Sequence, residues 1–250
     1  VCQTDTGRVR EHNEDSVDMR AEVGLVVLAD GMGGYNAGEV ASEMTTNSIV
    51  VGVAQRWTEE MGHDHERARA LMQYEISVAN IDVYERAQTD SACEGMGTTV
   101  MAALFHDNML TTGHLGDSRL YRMRDDKLEQ LTHDHSVLQE QIDLGLLTKA
   151  EARLSTHKNL VTRALGIEPD EQGEMNQFPT LPGDLYLLCS DGLYDMLEDD
   201  DIELTLSVLK GNLELCAKEL IQAANDAGGC DNISVILVRV LQDFAVAPAV

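Results

Sequence analysis

The chain has 250 residues, 43% of them hydrophobic, enough for one large core, and no Pro/Gly/Ser-rich stretch divides it. Its 44 acidic against 18 basic residues give a formal net charge of −26, which excludes nucleic acid and anionic lipid as partners, since both need basic patches. The longest apolar runs, Val23 to Ala29 and Ile233 to Val238, are too short to span a bilayer, and no charged-then-apolar leader opens the sequence. Five cysteines, odd in number and without a C-x-x-C pair, suit reduced thiols in the cytoplasm. The expectation is one cytoplasmic domain over residues 1–250, without membrane insertion.

In chain order, Ser16 to Met19 pairs back onto Gly24 to Ala29 through a turn near Ala21 and Glu22, which sets Glu14 and Asp15 opposite Asp30. Helical spacing of apolar residues marks Ala37 to about Trp57 and Glu66 to Ala87, with a polar loop between them in which His63 and His65 are solvated. Strands follow at Thr98 to Phe105, Met109 to Leu115, Arg119 to Arg124 and Lys127 to Leu131, joined as hairpins at Asp107-Asn108 and Asp125-Asp126. Ser136 to Leu154 reads as irregular helix broken at Gly145. Leu185 to Cys189 and Ile233 to Val240 are buried strands, and Leu204 to Leu209 and Leu213 to Ala224 are the closing helices. Hairpin-linked strands with paired helical blocks predict antiparallel sheets in a layered α+β architecture.

The acids fall where these strands end. Asp30 terminates Gly24 to Ala29 and is followed by Gly31; Asp191 terminates Leu185 to Ser190 and is followed by Gly192. Asp231 and Asn232 precede Ile233 to Val238, and Asp117 sits between two strands. A single Asp-Gly is ordinarily a turn, but the repeated pattern predicts a cluster at one sheet rim. Carboxylates gathered beside an apolar core need protons, basic partners or metal. Oxygen-only donors without a His/Cys set favour Mg²⁺ or Mn²⁺ over Zn²⁺.

Read together, Asp5-Thr6-Gly7, Arg10, Asn13-Glu14-Asp15, Asp30 to Gly34, Met96 to Thr99, Gly113 to Arg119, Leu131 to Ser136, Val161 to Gly166, Ser190-Asp191-Gly192 and Asp231-Asn232 resemble the metal-dependent (PPM, type 2C) protein serine/threonine phosphatases. The resemblance covers nearly the whole chain in family order. It implies a four-layer α-β-β-α sandwich of two antiparallel sheets flanked by helix pairs, and two core ions, Mn²⁺ or Mg²⁺. Asp30 would bridge them, Asp191 and Asp231 would complete the first, and the Gly31 carbonyl, with Glu14 and Asp15 directly or through water, would serve the second. Asp117 and Asp191 match a third, weaker position in bacterial-type members, and Arg10 matches the arginine that grips the substrate phosphate. The implied reaction is hydrolysis of phosphoserine and phosphothreonine in proteins by a metal-bridged hydroxide, without a covalent phosphoenzyme. Phosphoproteins, including a cognate serine/threonine kinase or its substrates, are the implied partners. Met32 stands where animal members carry a histidine, as bacterial-type members often do, so leaving-group protonation falls to a metal-bound water.

The segment 136–159 coincides with the family's variable flap and is expected to influence substrate choice. Thr98 and Thr99 read as strand packing, and His133 and His135 as structural hydrogen bonding, because no third zinc ligand is evident. Gly31, Gly33 and Gly34 lack a following Lys-Ser/Thr and form no P-loop. Two other functions fit a phosphatase-like domain: a catalytically silent one that binds or senses, and a metal phosphohydrolase acting on a small phosphate ester.

Overall fold

The computed structural model describes residues 1–33, 37–153, 155 and 160–245. In chain order the strands are β1 (Cys2–Asp5), β2 (Asp15–Arg20), β3 (Leu25–Met32), β4 (Gly97–Thr98), β5 (Val100–His106), β6 (Met109–Leu115), β7 (Arg119–Arg124), β8 (Lys127–Gln130), β9 (Glu174–Pro179), β10 (Leu185–Cys189) and β11 (Ile233–Arg239). The helices are α1 (Ala37–Arg56), α2 (Glu59–Gly62), α3 (His65–Thr89), α4 (Val137–Asp143), α5 (Lys149–Arg153), α6 (Asp191–Tyr194), α7 (Asp199–Leu209) and α8 (Leu213–Asp226). No helix among the described residues is long and apolar enough to cross a membrane.

One sheet runs β1-β11-β10-β7-β8 and the other β2-β3-β5-β6-β9, with β4 paired to β3, and every pairing is antiparallel. Strand alternation builds the layers. Leu25 and Val27 of β3 pack with Ile49 and Val53 of α1 and Met72 and Ile76 of α3. Val26 and Leu28, one residue out of phase, face Tyr186 and Leu188 of β10 and Ile236 of β11 between the sheets. Leu185 and Leu187 point the other way, onto Ile202 and Leu206 of α7 and Leu220 of α8. The result is the expected α-β-β-α sandwich, with each fully buried Leu or Ile contributing about 1.5–3 kcal/mol.

Local chemistry explains the connections. Asp107 and Asn108, and Asp125 and Asp126, all have positive φ, the pattern of the type I′ turns that match strand twist. Asp64 caps α3 by accepting the Arg67 N–H at 3.1 Å. Asp199, Asp200 and Asp201 make the first turn of α7, where the helix dipole favours acids; the expected start at Leu204 is too late for that reason.

Other expectations need correction. The polar stretch after Trp57 contains α2, and His65 is half-buried against His106, with ring centroids 5.4 Å apart. The strand expected over Thr98 to Phe105 breaks at Thr99, whose N–H goes to the Asp30 carbonyl at 2.9 Å. Two strands were not expected: β1, which pairs with β11, and β9, which pairs with β6. The irregular helix resolves into α4, capped by Ser136, a left-handed Gly145 (φ 68°) and α5. Residues 154 and 156–159 of that segment lie outside the described residues.

Candidate active site

The two sheets deliver their acids to one rim. In the β2–β3 hairpin Asp15 is the register partner of Asp30, as its sequence position predicts. In the β10–β11 pair Cys189 opposes Val235, so the residues just past β10 and just before β11 meet. Arg10, Glu14, Asp30, Gly31, Asp117, Asp191 and Asp231 line one cleft of about 310 Å³, together with Met32 and Asn232. Of the predicted site residues only Asp15 lies outside its wall, buried beneath it.

The glycines after Asp30 and Asp191 serve close packing rather than turns. A Cβ on Gly31 would stand 2.2 Å from the Gly38 carbonyl oxygen, and one on Gly192 would stand 2.0 Å from that of Asn232. Neither space admits a side chain. This lets the Gly31 N–H reach the Glu14 carbonyl at 3.0 Å.

In sequence Asn232 is only a neighbour of Asp231, yet in the fold it clasps the N-terminal loop. Its Oδ1 accepts the Glu14 N–H at 2.8 Å, and its Nδ2 donates to the carbonyls of Thr6 (3.0 Å) and His12 (2.9 Å). Ser190, also unassigned by sequence, donates to Asp15 Oδ2 at 2.8 Å and accepts the Ser234 N–H at 3.0 Å. Arg10 Nη2 meets Asp231 Oδ2 at 2.6 Å on the lip of the cleft.

The electrostatics are those of an acid cluster short of positive charge. Burial, then repulsion from Asp15, Asp191 and Asp117, holds the Asp30 carboxyl well above the usual range. Burial, then Asp117 and Asp231, does the same to Asp191. Asp15 is pushed up to about 6, chiefly by burial, although its serine hydrogen bonds oppose this. Asp117 is pushed up to about 7 by burial and then by Asp134. Glu14 is raised mainly by burial. Asp191 Oδ1 and Asp15 Oδ1 are buried with no hydrogen-bond partner among the described residues. Buried carboxylate oxygens without donors beside mutually repelling acids fit hard divalent cations.

Sequence also left His133 and His135 without a third ligand; the structure supplies candidates in His114 and Glu174. Their geometry still opposes a metal. The His114 and His135 rings stack at 4.7 Å with planes 11° apart, so their in-plane lone pairs run side by side and do not converge on one ion. His135 Nδ1 accepts the Gly116 N–H at 3.2 Å, and its Nε2 is occupied by Glu174 Oε2 at 3.2 Å and by the Arg163 guanidinium at 3.3 Å, so neither ring nitrogen is free for an ion. His133 points away, to Asp143 at 2.7 Å.

A second, smaller cavity of about 100 Å³ shares Asp117 and Asp191 with the cleft and is walled by Leu138 and Ile142 of α4 and Ala152 of α5. The segment expected to be the flap therefore stands directly beside the acids.

Residues 3–224 match the family described as protein phosphatase 2C. The chain is 36% identical over 243 residues to the serine/threonine phosphatase stp of Listeria innocua, covering 95% of this chain and 94% of that one. It is 35% identical over 247 residues to the protein phosphatase PhpP of Streptococcus pneumoniae, covering 97% of each. Among solved structures, the catalytic domain of the serine threonine protein phosphatase PstP, in complex with two manganese ions, superposes with a TM-score of 0.84 at 34% identity, covering 97% of both chains. The chain belongs to the protein phosphatase 2C family.

Proposed function

We propose that the protein hydrolyses phosphoserine and phosphothreonine in proteins with the help of two Mn²⁺ or Mg²⁺ ions and a third, weaker one. The observation that carries this is the convergence of Asp30, Asp117, Asp191 and Asp231 on one cleft with Arg10 at its lip. Asp30 would bridge the core pair, with Asp191 and Asp231 on one ion and the Gly31 carbonyl, Glu14 and Asp15 serving the other. Asp117 and Asp191 would hold the third. Bound there, divalent cations make water acidic enough to attack phosphorus near neutral pH and neutralise charge on the phosphoryl oxygens.

The chain's own residues do the rest. Arg10, half-exposed and already oriented by Asp231, presents a planar fork that suits two phosphoryl oxygens. Asn232 keeps Arg10 and Glu14 over the cleft through the loop it clasps. Met32 lines the cleft without a proton to give, so the serine or threonine leaving group takes its proton from water.

Residues 1–250 would form one catalytic domain, and the flap at 136–159 would influence substrate choice. Partners would be phosphorylated proteins, including a serine/threonine kinase or its substrates. Five free cysteines suit the reducing cytoplasm.

The test compares kcat/KM on phosphothreonine peptides with that on p-nitrophenyl phosphate and other small esters, at saturating Mn²⁺. Preference for peptides supports a protein phosphatase. Turnover confined to one class of small ester would reassign the substrate, and a folded, Mn²⁺-loaded protein inert on all of them would indicate a binding domain.

A further inference from the structure

Thr99 and Ser118 lie between two of the acids, each 1% exposed. Their hydroxyl oxygens are 2.7 Å apart. Thr99 Oγ1 also accepts the Asp30 N–H at 3.0 Å, while the Asp30 carbonyl takes the Thr99 N–H at 2.9 Å and the Thr98 hydroxyl at 2.8 Å. On its other side Thr99 supports the Asp117 loop twice. Its hydroxyl meets Ser118, and its Cβ and methyl fill the space over Gly116, where an added Cβ would come within 2.7 and 2.6 Å of them. His135 holds both backbone polar atoms of Gly116: its Nδ1 accepts the Gly116 N–H at 3.2 Å, and its backbone N–H donates to the Gly116 carbonyl at 3.0 Å.

We infer that Thr99 is a positioning residue that ties the Asp30 strand end to the Asp117 loop through its hydroxyl, so that cations held at the two carboxylates are coupled. This rests on the reading that those acids hold cations. The sequence expectation of simple strand packing makes a different prediction, because a packing residue could be valine. Valine keeps the β-branched shape but leaves the Asp30 N–H and the Ser118 hydroxyl buried without their partner.

The test is Mn²⁺ titration of the whole chain, followed by electron paramagnetic resonance of free Mn²⁺, with thermal unfolding in chelator as the check on folding. Thr99→Val is expected to weaken Mn²⁺ binding about tenfold or more, in the range found for groups that orient metal ligands. Thr99→Ser, which keeps the hydroxyl, is expected to stay within about threefold of the wild type. Ser118→Ala should weaken only the more loosely bound ion, and Thr99→Val/Ser118→Ala should resemble Thr99→Val alone, since both break one tie. Wild-type affinity in a folded Thr99→Val, or equal damage in Thr99→Ser, overturns the inference. If Thr99→Val does not fold, Ser118→Ala decides: unchanged binding of every ion refutes the tie. A wild-type chain that binds no Mn²⁺ overturns this inference together with the cation reading beneath it, whereas normal wild-type binding with indifferent variants removes the inference alone.

Discussion

Burial of Asp15, Asp30, Asp117 and Asp191 keeps protons on carboxylates that would ordinarily be ionised by pH 5. A carboxyl whose folded pKa is raised stabilises the fold fully below its unfolded value and loses that contribution as pH rises through the folded one. For Asp15 and Asp117 the loss falls as pH climbs from about 4 past 6 and 7. Buried His106, His114 and His135, held below their usual value by desolvation, act in the opposite sense. They cancel when one pH is measured with and without metal. The expected result is a gain in Tm from Mn²⁺ over chelator that grows between pH 5.5 and 8, and a constant gain would contradict it. Asn232→Ala should lower kcat/KM roughly 10- to 100-fold, as outer-shell positioning changes do, with most of the loss in phosphate affinity if the loop carrying Arg10 is what slackens. The strand-terminal acids were legible in sequence because an apolar run, an acid and a glycine stand together. Asn232, Ser190 and Thr99 were not, because each acts through a hydrogen bond to a partner far away in the chain.

Hairpins with Asp-Asn or Asp-Asp turns and strands with apolar alternation were readable because local chemistry dictates them. β1 and β9 were not: Cys2–Asp5 and Glu174–Pro179 are polar, contain no fully buried residue, and are ordered by pairing with β11 and β6. The stretch from α4 to α5 shows the same limit. Arg153 at the end of α5 donates to the carbonyls of Leu197 (2.9 Å) and Tyr194 (3.3 Å) and meets Glu198 at 2.9 Å, a clamp no spacing announces. Arg153→Ala should leave the fold intact but raise amide exchange across 137–153, and unchanged protection would show that the clamp is idle. Replacing residues 136–159 should alter phosphopeptide preference while sparing Mn²⁺ affinity; identical preference would remove the flap from substrate choice.

At the scale of the whole molecule, the sandwich spends its apolar alternation on three contiguous layers and leaves the surface strongly acidic. Leu188→Ala, in the layer between the sheets, should cost about 2–5 kcal/mol in denaturant unfolding; a cost below 1 kcal/mol would mean that this layer is poorly packed. A net charge of −26 repels a phosphopeptide, and in the proposed function cations held at the cleft, with Arg10, would offset that repulsion locally. At saturating Mn²⁺, kcat/KM on an acidic phosphopeptide should therefore rise as salt is raised from about 20 to 150 mM, because screening shortens the reach of the repulsion to about 8 Å. A fall would mean that local attraction at the cleft dominates encounter.

The central claim is that the acids at the sheet rim form a cation site that performs phosphate-ester hydrolysis. Phosphate release from a phosphothreonine peptide with Mn²⁺, repeated with chelator and with Asp191→Asn, tests it most directly. The wild type with Mn²⁺ is expected to release phosphate steadily, and both controls only at background, with the variant still folded. Release that survives chelator, or a folded Asp191→Asn that turns over like the wild type, would contradict it.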